Sequence, residues 1–103
     1  VLFRSGKAKL IWGSTTQITV RDRPAVLDPE HNPTIVKRNA IAARVMEDMG
    51  VAVNDLYGLM SDKLNLARGD KFHWQKEACM IQGKQVADFV KKALEGDSSE
   101  GGV

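Results

Sequence analysis

Two helix-bounding residues, Pro33 and Gly50, do most to limit what this chain can fold into. Asn32 can cap a helix, and Pro33 suits its first turn, where a missing N–H costs nothing. Ile35, Asn39, Ala42, Met46 and Met49 then recur at steps of four and three, along one helical face. Gly50 follows the last of them and suits the left-handed residue that closes a helix. A short apolar run stands on either side, Leu10-Ile11-Trp12 before and Val51-Ala52-Val53 after. Strand, helix and strand in that order predict two parallel strands joined by a right-handed crossover.

The other segments fall around this unit. Residues 21–32 carry Asp22, Pro24, Asp28, Pro29 and Asn32, the composition of a loop. Asn54-Asp55 ends the second strand, and Leu56, Leu59 and Met60 predict a turn or two of helix. A polar loop follows as far as Asp70. A second long helix is expected over residues 76–94, with Val86, Phe89, Val90, Ala93 and Leu94 on its buried face. Residues 1–7 read as an N-terminal stub, and residues 95–103, rich in Gly, Ser and acid, as a disordered tail. Asn39 is the one polar member of the first helix's stripe, so its amide is expected to tie that helix to a nearby loop. The fold class is α/β. Two parallel strands are too few for a sheet of this kind, so residues 8–94 are expected to be an incomplete portion of a larger domain. The first strand's unpaired edge is a template for a homo-dimer.

Composition excludes several classes of function. The net charge is +2, with bases scattered among acids, so no basic surface for nucleic acid or an anionic membrane stands out. Aromatic residues are only 6% of the chain, too few for a stacking platform along single strands. No apolar run approaches the ~20 residues of a membrane span, and residues 1–6 are too short in apolar content for a signal peptide. The compartment is left open. A single cysteine, Cys79, rules out an internal disulfide and any multi-cysteine metal cage. Its neighbours Ala78, Met80 and Ile81 predict a buried thiol. His31, His73 and Cys79 lack the spacing of zinc ligands, and neither a metal nor any other cofactor is expected.

One run carries chemistry. Asp70-Lys71-Phe72-His73-Trp74 sets a carboxylate three residues before a histidine, after a polar loop and before the second long helix. A histidine aimed by a carboxylate is the general-base half of a hydrolytic triad. A serine hydroxyl is a poor nucleophile until such a base takes its proton. His31, in the Pro-rich loop, reads as a solvated loop residue, as do Arg21 and Arg23.

The strand ending in Trp12-Gly13-Ser14-Thr15-Thr16, the helix with Arg38-Asn39-Ala40, the segment Val53-Asn54-Asp55-Leu56-Tyr57 and the Asp70–His73 run occur in a fixed order. Together with Gly83-Lys84-Gln85-Val86-Ala87 downstream, they resemble the C-terminal half of the SGNH (GDSL-like) hydrolase family, over about residues 10–94. The resemblance implies the C-terminal β-α-β-α part of a flavodoxin-like three-layer α/β/α fold. It implies an esterase or acylhydrolase acting on a small ester or an O-acetylated carbohydrate, without a metal. It makes His73 the general base, Asp70 the residue that orients it, and Ser14, Thr15 and Thr16 pocket wall. The family's Gly-Asp-Ser nucleophile block and its oxyanion glycine and asparagine have no counterpart here. Ala52 stands where a Gly-x-Asn-Asp block would need glycine, so Asn54 is not given an oxyanion role. Gly96-Asp97-Ser98 follows a helix rather than a buried strand and is not taken as the nucleophile. The chain alone is therefore expected to be inactive. The alternative is a non-catalytic α/β module that binds a partner or associates with itself.

Overall fold

In this computed structural model the backbone of residues 8–101 and the side chains of residues 8–95 are described; the N-terminal stub lies outside that range. Strand β1 (Ile11–Gly13) pairs in parallel with β4 (Ala52–Asn54), Ile11 facing Ala52, Trp12 facing Val53 and Gly13 facing Asn54. Helix α1 (Asn32–Asp48) lies between them in sequence, so the strand–helix–strand unit forms as its apolar pattern predicts. A short helix α2 (Leu56–Met60), a 3₁₀ turn at Leu64–Leu66 and helix α3 (Lys76–Gly101) complete the order. The result is a small mixed α/β domain with three α-helices among the described residues. None of these helices is long and apolar enough to cross a membrane.

Both ends of α1 have identifiable causes. The helix includes Asn32, and His31 is the N-cap residue, with no side-chain cap bond of its own. Asn32 does not cap because it is buried and fully engaged. Its Oδ1 accepts from the Ile18 amide at 3.0 Å, and its Nδ2 donates to the Tyr57 hydroxyl at 2.9 Å. The amides at the helix entrance are met instead by Asp28, whose Oδ1 accepts from Glu30 N at 2.8 Å and His31 N at 3.0 Å. At the other end, Gly50 has φ +73°. Its amide donates to Glu47 O at 3.1 Å and the Val51 amide to Met46 O at 2.8 Å, the paired bonds of a left-handed helix stop. Ile35, Asn39, Ala42 and Met46 are half-buried as expected, while Met49 is exposed. Asn39 makes the expected tie to a loop: its Nδ2 donates to Thr15 O at 2.8 Å and its Oδ1 accepts from Thr15 N at 3.0 Å.

Residues 21–32 are not all loop. Strands β2 (Thr19–Val20) and β3 (Arg23–Leu27) form an antiparallel hairpin there. The turn uses Asp22 at φ +65°, a conformation that aspartate tolerates better than most residues. Pro24 is compatible with β3 because, among the described residues, that strand pairs with β2 alone, and proline is confined to such edges. The hairpin is also braced from outside, Asp22 N donating to Gly69 O and Thr19 N to Lys71 O, both at 3.0 Å.

Helix α3 is rotated and longer than expected. Its backbone runs on to Gly101, through residues where a disordered tail was expected. Ala78 is fully buried, and Ile81, Gln82, Gln85, Phe89 and Ala93 are half-buried. The rotation is fixed by a polar contact: Gln85 Nε2 donates to Asn54 Oδ1 at 2.6 Å. That turns Val86, Val90 and Leu94 outward, at 43%, 45% and 61% exposure. Cys79, expected to be buried, is exposed, because it follows the inward Ala78 by one helical step. On α1, Ile41, Val45 and Met49 form a matching uncovered stripe at 63%, 45% and 40%. Both stripes run at steps of four, along the flank of each helix's half-buried face. Between α1 and the sheet lies an open groove of about 430 Å³, lined by Trp12, Ser14, Asn39, Ala43, Glu47 and Asp55 among others.

Candidate active site

The Asp70 side chain organises the loop that carries His73. One carboxylate oxygen, Oδ1, accepts from the amides of Phe72 at 3.2 Å and His73 at 2.9 Å. The other, Oδ2, meets His73 Nδ1 at 2.5 Å. Lys71, inside this turn, adopts φ +83° and lets the chain reverse within four residues. The hydrogen bond from the His73 amide, then that from its ring, hold the Asp70 carboxyl at about 2, below its ordinary 3.8. An ionised carboxylate only accepts hydrogen bonds, so the shared proton belongs to Nδ1. The neutral ring then has Nε2 as its free acceptor. That nitrogen belongs to a side chain 69% exposed to solvent.

Neighbouring backbone fixes where the ring stands. Arg68 N donates to His73 O at 2.8 Å, and Ala67 and Trp74 form an isolated antiparallel bridge. The indole Nε1–H of Trp74 donates to Thr16 Oγ1 at 3.1 Å. Thr16 lies in the segment that leaves the carboxyl end of β1, so this bond holds the histidine loop at that end of the sheet. Ligand sites in open α/β sheets lie outside the carboxyl ends of the strands.

The three residues expected at a pocket wall are placed as follows. Ser14 is buried, and its hydroxyl is committed, donating to Asp55 Oδ1 at 3.3 Å and accepting from Tyr57 N at 2.9 Å. Thr15 is exposed, with its backbone clamped by Asn39. Thr16 is half-buried and serves as the acceptor for Trp74. Asn54 is buried at the end of β4, its oxygen taken by Gln85. Among the described residues, no serine hydroxyl is hydrogen-bonded to His73. The backbone of residues 96–98, the Gly-Asp-Ser of the C-terminal segment, is part of α3, and the Ser98 side chain lies outside the described residues.

A second pair repeats the arrangement. Asp28 Oδ1 accepts from the amides two and three residues on, and its Oδ2 stands 3.3 Å from His31 Nδ1. The backbone bonds from His31 and Glu30, in that order of weight, bring the Asp28 carboxyl to about 2. His31 is therefore a partnered residue at the start of α1 rather than a free loop histidine. The signal was legible, since Asp28 and His31 share the spacing of Asp70 and His73. Asp28, Glu30 and His31 also bring three ligand-type atoms within 4.8 Å of one another. Lys71 Nζ lies 3.6 Å from Asp28 Oδ2, a charge that opposes a cation at that point. The two pairs differ in the contact between carboxylate and ring, which is 0.8 Å shorter at His73.

The carboxylates give the fold a defined acid response. Both folded values, about 2, lie below the ordinary 3.8, so their contribution is complete above about pH 4. It is lost as the pH falls towards 2. Circular dichroism of an acid titration is expected to show weakened stability across that window. Asp70→Asn keeps an oxygen for the two amides but cannot ionise, so its profile should be flatter there. An unchanged slope would remove Asp70 from the account.

Comparison of the chain with the models of known protein families, and with individually curated proteins, gives no match.

Proposed function

We propose that this chain supplies the base half of a serine-dependent ester hydrolase, as its resemblance to the SGNH family implies. His73 is the general base, and Asp70 sets its tautomer and steadies the imidazolium that forms. The nucleophilic serine comes from another stretch of polypeptide. The fold in this reading is the C-terminal β-α-β-α portion of a flavodoxin-like three-layer α/β/α domain. The carrying observation is the 2.5 Å contact between Asp70 Oδ2 and His73 Nδ1, on a ring that is open to solvent. Nε2 would take the serine proton as the hydroxyl attacks the ester carbonyl, then return it to the departing alcohol. Water would repeat the cycle on the acyl-serine. No metal is needed for either half. Phe72, 57% exposed and the residue before His73, offers an apolar contact to a short acyl chain. Small esters and O-acetylated carbohydrates are the substrate class.

The chain by itself, with no serine at the ring, is expected to hydrolyse a chromogenic acetate ester no faster than free imidazole does. Turnover by the isolated chain that a serine-directed phosphonate inhibitor blocks would contradict the assignment of the nucleophile elsewhere.

A second reading is favoured by a different observation. The outward lines Ile41-Val45-Met49 and Val86-Val90-Leu94, with the edge of β1 that is unpaired among the described residues, suit a non-catalytic module that pairs with a second copy of itself. Sedimentation equilibrium separates the readings. A symmetric dimer that persists at micromolar concentration, with no ester turnover in any context, supports self-association.

A further inference from the structure

We propose that Lys71 is a positioning residue for the His73 imidazole, acting through Asp28; its link to a reaction rests on the function proposed above. Lys71 sits between the acid and the base in a left-handed conformation, φ +83°. A side chain in that region is strained, and glycine would be free of the strain. The residue is nevertheless fastened at both ends. Its carbonyl accepts from Thr19 N of β2 at 3.0 Å, and its ammonium lies 3.6 Å from Asp28 Oδ2. Asp28 is buried and already holds the entrance of α1 through the amides of Glu30 and His31. The lysine therefore joins the histidine turn to the start of α1, a connection that glycine could not make. The join matters because the ring itself is 69% exposed and has little packing to hold it. Without the ammonium, the Asp70–His73 turn keeps its backbone bond to β2 and the Trp74–Thr16 bond but loses its tether to the start of α1. The ring is then free to leave Asp70 and to populate the other tautomer.

The test reads the tautomer directly, from the ring ¹⁵N shifts of the labelled full chain, with His31→Gln assigning the His73 signals. The wild-type chain is expected to show the Nδ1-protonated form. In Lys71→Met the shifts should move towards a mixture of tautomers, and Lys71→Arg should restore the wild-type pattern. Lys71→Gly decides between tether and turn. A residue needed only for its turn would be improved by glycine and the signals would stay, whereas loss of the tether mixes the tautomers despite the relieved strain. If a Lys71 variant does not fold, Asp28→Asn carries the test. Its Oδ1 still accepts both amides, but the charge facing Lys71 is gone, and the same mixing is expected. Unchanged tautomer shifts in Lys71→Met and Lys71→Gly, or in Asp28→Asn, would overturn the proposal. Ester turnover is a separate readout, so a failed hydrolase assignment with mixed tautomers is distinguishable from a failed tether.

Discussion

In the proposed hydrolase, replacing His73 with alanine is expected to lower kcat by about 10⁴-fold or more, with KM little changed. The loss should fall on kcat because the imidazole acts as the proton moves and is not needed to hold the ester. Asp70→Asn should come close to it, by about 10⁴-fold, without removing the ring. The asparagine oxygen can still accept from the Phe72 and His73 amides, so the turn survives. The amide nitrogen, however, would present a donor to His73 Nδ1, and the ring would answer by moving its proton to Nε2. The acceptor aimed at the serine would then be gone. Steady-state kinetics on a polypeptide carrying both parts would check this. A His73→Ala variant keeping more than a tenth of the rate would end the assignment of His73 as base.

Met60→Ala is expected to destabilise the fold by about 2–5 kcal/mol, the range for a buried methionine truncated to alanine. Met60 is fully buried at the end of α2 and, with Thr19, is one of the largest side chains in that state among the described residues. The other buried apolar side chains among the described residues are small, Ala67 and Ala78. A domain of this size holds only about 5–15 kcal/mol in total, so the loss is a large fraction of it. The melting temperature should fall by about 10 °C or more. Thermal unfolding followed by circular dichroism measures it. A fall of less than about 3 °C would show that Met60 is not the centre of the packing.

What could be read in the sequence was what neighbours along the chain decide. Asn39, Met46 and Gly50 announced α1 and its end, because a helix face and its stop are written within one segment. The short apolar runs around Ile11 and Val53 announced the parallel pair for the same reason. The Asp70–His73 contact was also legible, since the two residues are three apart and a turn brings them together. The hairpin of β2 and β3 was not legible, because Arg21-Asp22 is not a recognised hairpin turn and Pro24 argues against a strand. Its bracing comes from Gly69 and Lys71, far along the chain. The rotation of α3 was hidden too, since Gln85 chooses Asn54 and thereby turns Val86 outward. Asn32 looked like a cap and is instead a buried link between Ile18 and Tyr57. In each case a contact distant in sequence outweighed the local preference.

The parallel pairing of β1 and β4 has a kinetic consequence. It closes a long stretch of chain; Ser14 and Asp55, just beyond the paired residues, are 41 positions apart. Closing a loop of that length opposes folding by about 3 kcal/mol, plus a constant, before any strand contact forms. Helix α1 can nucleate inside the loop and shorten it, so the sheet is expected to form late in assembly and to open early. The Asp70–His73 turn needs no such closure. While Lys71 stays against Asp28, the imidazole therefore keeps its carboxylate during partial opening as Thr16 and Trp74 drift apart, and the proton acceptor survives longer than its address.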